Sequence, residues 1–182
     1  RRPVDAHEIV PYVKLFEAER AKGEAFEPAL RTAATAVLSS PHFLFLREPA
    51  GALDDYALAS RLSYFLTRTA PDAELLELAR KGKLRANLRS QTERLLKHKH
   101  LGRFVTDFTE AWLNLRDMDF TIPDRTLYPE FEPYLRFSMP LETEAFLREL
   151  ITKNHPVANI VKSEFAMLND RMAEHYGIPG VT

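Results

Sequence analysis

Leu101, Phe104, Val105, Phe108, Trp112 and Leu115 recur at three- and four-residue intervals over four turns, a spacing that lines up on one face only in an α-helix. No segment alternates apolar and polar residues between hairpin turns, so helices are the chain's means of burying apolar surface. The expected fold is all-α, an irregular bundle of about seven or eight helices with a long ordered loop near 116–129. The 101–115 stripe is the expected central core helix. Its period places Trp112 in the core rather than on a stacking platform for sugars or bases.

End signals locate the other helices. Asp5 with Glu8 forms a capping box for a helix carrying Ile9, Val13 and Phe16, ended by Gly23, with Pro11 predicting a kink or a later start. A second helix is expected from about Pro28, through Leu30, Ala33, Ala34, Val37 and Leu38, to Ser39 or Ser40. Phe43 to Leu46 is too short an apolar run to classify. Asp54 caps a third helix carrying Tyr56, Leu58, Ala59, Leu62, Phe65 and Leu66, and Pro71-Asp72 opens a fourth that Lys81 and Gly82 close. A polar helix follows around Leu88, Thr92, Leu95 and Leu96. Between Arg116 and Pro129 no period survives, and Pro123-Asp124 and Tyr128-Pro129 predict an irregular but ordered loop. A long helix then runs from Phe131 to about Lys153, kinked or divided at Pro140. In the last short helix Asn169 is the cap, Gly177 the left-handed terminator, and His175 lies in the final turn, where the helix dipole favours a cation. Glu48-Pro49-Ala50-Gly51 is the connector, dividing a small two-helix domain (1–48) from a larger helical domain (53–182).

At 182 residues and 45% apolar, the chain is long enough for a real core. Its 25 Lys+Arg and 26 Asp+Glu are interspersed to a net charge of −1, which denies a nucleic-acid backbone the one-sided field it needs. No apolar run approaches a membrane span. The absence of Cys removes disulfides, thiolate catalysis, Cys-zinc sites and CxxCH haem attachment from this stretch. Opening at Arg1-Arg2-Pro3 without an initiator Met, it reads as a segment of a longer protein.

Sites are harder to read. His98 and His100, two apart within Lys97-His98-Lys99-His100, point to different sides of a helix among cations, and there is no HExxH or ExxH, so no metal site is expected. Glu142 and Glu149, seven apart, share one helix face about 10 Å apart and could flank a substrate, as paired carboxylates do in glycoside hydrolysis. Against that, Glu144 and Arg148 form an ordinary i, i+4 pair on a wet face. Ser39-Ser40-Pro41-His42 reads as a helix-ending turn, with no GxSxG elbow. The candidate catalytic residues are Glu142, Glu144, His175 and Tyr176.

Several strings are similar to a known pair of domains. Arg1-Arg2-Pro3, Ser40-Pro41-His42-Phe43-Leu44-Phe45, Leu58-Ala59-Ser60-Arg61-Leu62-Ser63-Tyr64-Phe65-Leu66, Ala111-Trp112-Leu113, Leu168-Asn169-Asp170-Arg171 and His175-Tyr176-Gly177-Ile178-Pro179-Gly180-Val181 together resemble two consecutive domains of unknown function. These domains occur in very large secreted proteins typical of planctomycete bacteria, beside c-type cytochrome domains and sometimes carbohydrate-binding-like ones. The sequence departs from that pattern at Thr67-Arg68-Thr69, where a Trp-containing turn is expected, and at Pro140. The resemblance implies a larger domain (53–182) cut short at its C-terminal end, an extracytoplasmic location in the cell envelope or outside it, no cofactor in this segment, haem c elsewhere in the parent, and other domains of the same polypeptide as partners. It carries no catalytic residues. The expected function is a non-catalytic interaction or scaffold module. The alternative is part of an extracellular polysaccharide-binding or polysaccharide-processing enzyme whose site a downstream segment completes, with His175 and Tyr176 facing the cleft.

Overall fold

The structure, a computed structural model, describes residues 1–46, 48, 50–120 and 122–181, and the backbone but not the side chain of Asp119. The connector's Pro49 and the loop's Thr121 lie outside the described residues. Among those residues the fold is all-α, with nine α-helices and no strand: α1 (Ala6–Ala21), α2 (Phe26–Leu38), α3 (Pro41–Leu44), α4 (Asp55–Thr67), α5 (Ala73–Arg80), α6 (Leu88–Leu96), α7 (Leu101–Leu113), α8 (Pro133–Thr152) and α9 (Asp170–His175). They form two compact units, Arg1–Leu62 with Ala70–Leu88, and Ser63–Thr69 with Arg89–Thr182.

In the first unit α1 and α2 pair as a helical hairpin, joined by an edge-to-face contact of Phe16 and Phe26 at 5.4 Å. The Glu8 carboxylate accepts the Asp5 N–H at 3.0 Å, as the capping box requires. Arg2 also grips Glu8, holding its carboxyl down to about 2. Pro11 neither delays nor ends α1, because one missing hydrogen bond costs less than losing the turns on either side. The stripe expected on α1 is not a core face. Ile9 and Val13 are exposed, and α2 supplies the buried contacts through Ala29 and Ala33. α2 starts two residues before Pro28, since a proline at the third helical position still gives up only an N–H that has no helical acceptor. Ser40 caps the short α3, accepting the Phe43 N–H at 3.3 Å. Asp54 and Asp72 cap α4 and α5, and the Asp55 carboxylate accepts the Leu84 N–H at 2.8 Å beside the buried Ala59, Leu75 and Leu84.

The second unit is built on α7 and α8. The buried row of α7 is Leu101, Val105 and Thr109, one every four residues, and Thr109 is tolerated there because its hydroxyl donates to the Val105 carbonyl at 2.9 Å. Trp112 is 50% exposed, so its expected core position is wrong. It continues the period, but it shares its face with Phe108, itself 37% exposed, and that face is uncovered at this end of α7. Of the kink or division expected at Pro140 the division does not occur: α8 runs unbroken through it, since its 20 residues keep Leu135, Ser138 and Leu150 buried at the cost of one helical bond. Its cap is Glu132, whose carboxylate accepts the Tyr134 and Leu135 N–H groups at 2.7 and 2.6 Å. Part of the expected irregular loop, Leu115–Phe120, is 3-10 helix. Beyond Thr121 the loop is turn and irregular backbone, and the Asp124 carboxylate accepts the Thr126 N–H at 2.7 Å.

Candidate functional site

The structure sets Glu142 and Glu144 to different work, because two residues apart on a helix they point to different sides. Glu142 accepts the Tyr176 hydroxyl at 3.0 Å, joining α8 to the end of α9, and Glu144 accepts the Thr106 hydroxyl at 2.9 Å, joining α8 to α7. Both carboxylates are half-buried. The expected Glu144–Arg148 pair does not form. Arg148 instead lays its guanidinium against Gly102, within 3.3 Å of where a Cβ would stand. Glu149, the proposed companion of Glu142, lies 3.9 Å from the His155 imidazole. His175 is exposed, its ring 5.4 Å from that of Tyr176. Of the four candidates, only Glu142 and Tyr176 are brought into direct hydrogen-bond contact. Burial and the Glu142 carboxylate both push the Tyr176 phenol up.

The string around Asn169 is a clamp between α9 and α8. Asn169 accepts the Met172 N–H at 2.9 Å as the helix cap and donates its amide to the Ser138 hydroxyl, buried in α8, at 2.8 Å. Asp170 accepts the Tyr134 hydroxyl at 2.7 Å. Arg171 reaches the Glu132 carboxylate at 2.9 Å and the Glu130 carbonyl at 2.8 Å. Arg171 holds Glu132 below its ordinary 4.5, and the Tyr134 hydroxyl lowers Asp170 below 3.8. Carboxylates depressed in the fold bind protons more weakly there than in the unfolded chain. Their contribution is therefore complete above about pH 4.5 and is lost as pH falls through the lowered values. The expected result is that the protection of the Met172 and Ala173 amides, relative to their intrinsic exchange rates, falls below pH 4.5 while that of Val105 is kept, and unchanged protection at both places across that range would contradict it.

Gly177, with φ +69°, ends α9 in a Schellman pair: its N–H donates to the Glu174 carbonyl at 3.0 Å and that of Ile178 to Ala173 at 2.8 Å. Gly177→Ala is expected to destabilise the chain by about 1 kcal/mol through the positive φ. His175→Ala, on an exposed ring, leaves the denaturation midpoint unchanged, and chemical denaturation of the two variants checks both.

The exposed aromatic residues form a second feature. Phe65, Phe104, Phe108 and Trp112 make a continuous row, with ring centroids 5.0, 5.4 and 5.6 Å apart in turn. Phe65 is 60% and Trp112 50% exposed. The sequence names these residues but not their exposure, which depends on whether anything covers the face. Beside α7 lies an open cavity of about 650 Å³ lined by Tyr64, Arg68, Gly102, Arg103, Thr106 and Asp107. It was missed in the sequence because its residues come from α7, from α4 and from the turn after α4, where Arg68 takes a left-handed φ of +57° and its guanidinium pairs with Asp107. At that turn, the Thr67-Arg68-Thr69 departure, the Thr67 hydroxyl donates to the Ser63 carbonyl one turn back in α4 at 2.8 Å.

Among the described residues no group of three or more His, Asp or Glu is placed to hold a metal ion, and no helix is long and apolar enough to cross a membrane. His98 and His100 stack edge to face at 4.7 Å, and burial with the neighbouring cations pushes the His100 imidazole down.

Two family models match the chain: PSD4, protein of unknown function (DUF1592), over residues 53–178, and PSD5, protein of unknown function (DUF1595), over residues 1–48. No curated protein and no solved structure matches it.

Proposed function

We propose, from the premise that the chain belongs to the PSD4 family of unknown function (DUF1592), that it is a non-catalytic helical interaction module of a large multidomain protein. The observation that carries this reading is the row Phe65–Phe104–Phe108–Trp112, in which Phe65, Phe108 and Trp112 are exposed, apolar surface on rigid helices of the kind that another domain covers. The polar residues of the most family-like string are occupied in holding α9 on α8, which fits a structural use of that string. The resemblance to domains of secreted planctomycete proteins supports the finer form of the reading: an extracytoplasmic module, in the envelope or secreted, whose partner is a haem c domain of the same polypeptide. Titrating the chain with that haem domain tests it. Saturable binding and a shift in haem potential are expected, whereas no binding and an unchanged potential would remove the assembly role.

The Glu142–Tyr176 contact supports a second reading, a polysaccharide-binding or polysaccharide-processing component in which these two groups meet the sugar. A glycan array followed by Glu142→Gln separates it from the first. Glycan binding lost in Glu142→Gln favours it, and an array without a hit excludes it.

A further inference from the structure

Lys97-His98-Lys99-His100, the corner between α6 and α7, holds two imidazoles where a further positive charge is unwelcome. Their rings meet edge to face at 4.7 Å. The His98 Nδ1 accepts the His100 backbone N–H at 3.3 Å, which it can do only while that nitrogen carries no proton. The His98 carbonyl accepts the Leu101 N–H at 3.0 Å and the His100 carbonyl accepts the Arg103 N–H at 3.0 Å, so the same two residues hold the first turn of α7. His100 is the cap residue of that helix, at the positive end of its dipole, and its side chain makes no capping bond. Its Nδ1 is sealed from solvent and has no hydrogen-bond partner among the described residues, so a proton added there would make a buried N–H without an acceptor. The charged and titratable groups that act on the His100 ring are Arg103 on α7 and His98 and Lys99 in the corner, and no carboxylate is among them. From α8 comes another cation, the Arg148 guanidinium against Gly102.

We propose that the His98–His100 pair is an acid-sensitive latch on the start of α7, closed while both imidazoles are neutral and opened when either takes up a proton. Burial first, and then the neighbouring cations, hold the His100 imidazole below its ordinary 6.5. It therefore binds a proton more weakly in the fold than in the unfolded chain. The stability it contributes is complete above about pH 6.5 and is lost as pH falls through the lowered value. This window lies above that of the Glu132 and Asp170 clamp. Because α7 carries Phe104, Phe108 and Trp112, acid also loosens the end of the docking helix. That consequence rests on the interaction-module reading, whereas the latch does not.

Nuclear magnetic resonance of the 182-residue chain tests it. At about pH 7.5 the imidazole nitrogen shifts should report His98 as the tautomer protonated at Nε2, with Nδ1 free to accept. Between about pH 7.5 and about pH 5, the protection of the His100, Leu101 and Arg103 amides, relative to their intrinsic exchange rates, should fall by about 5-fold or more, while that of Val105 is kept. His98→Asn with His100→Asn, which leaves an amide oxygen near the place of each Nδ1 but no group that takes up a proton in this range, should show equal protection at both pH values. His155→Asn, which removes the imidazole beside Glu149, should leave the loss in place. Circular dichroism of each variant confirms the fold. A His98 protonated at Nδ1, protection of the corner amides that does not change with pH in the parent chain, an equal loss in the double asparagine variant, or a loss abolished by His155→Asn would overturn the proposal. If the corner titrates as expected and the haem domain fails to bind at either pH, the latch stands and the docking reading falls.

Discussion

Asn169→Ala destabilises the second unit by about 2 kcal/mol, the sum of a lost N-cap and a buried hydroxyl left with one partner fewer. Its side-chain oxygen holds the Met172 N–H at 2.9 Å and its amide reaches the Ser138 hydroxyl at 2.8 Å, so one truncation frees the start of α9 and disturbs the interior of α8. Ser138 keeps its own bond to the Tyr134 carbonyl at 2.8 Å, which limits the loss. Denaturant unfolding measures it. Asn169→Asp preserves the cap but not the amide donor, and should recover about half of the stability. A loss within a few tenths of a kcal/mol of zero for Asn169→Ala would mean that the clamp does not hold α9.

The second large effect is on association. Phe108→Ala combined with Trp112→Ala should reduce affinity for the partner domain by about 100-fold, because exposed aromatic anchors carry most of an interface's energy, while the melting temperature stays within about 2 °C of the parent chain. The separation is possible because the buried row of α7 is Leu101, Val105 and Thr109, and neither substituted ring belongs to it. A variant that binds as well as the parent would show that the row is not the docking surface, and one that melts far lower would show that it belongs to the core.

Those two predictions differ in how far the sequence alone could lead to them. Asn169, Gly177, Asp54 and Asp72 were legible as helix ends because a cap is a local bargain between one side chain and N–H groups two or three residues on. The exposure of Trp112 was not. Periodicity says which residues share a face, and only tertiary packing decides how far along the helix that face is covered. The same gap hid the partners of Glu144 and Arg148. Local spacing favours their mutual pair, whereas the fold offers Glu144 the Thr106 hydroxyl and gives Arg148 the bare backbone of Gly102. Pro140 errs the other way, a local helix breaker overruled by the burial of Leu135, Ser138 and Leu150 on the same helix. Glu142 and Tyr176 met as two separately named residues, but 34 positions apart, their contact could be read only in the fold.

Trp112 is the single tryptophan of the chain, which makes it a native reporter of the surface at the centre of this account. Its fluorescence should be readily quenched by iodide in the free chain, as its half-exposed indole requires. Adding the haem domain should abolish access to iodide and dim the emission by energy transfer to the haem. Emission and iodide quenching that remain the same at saturating haem domain would contradict the interaction-module reading.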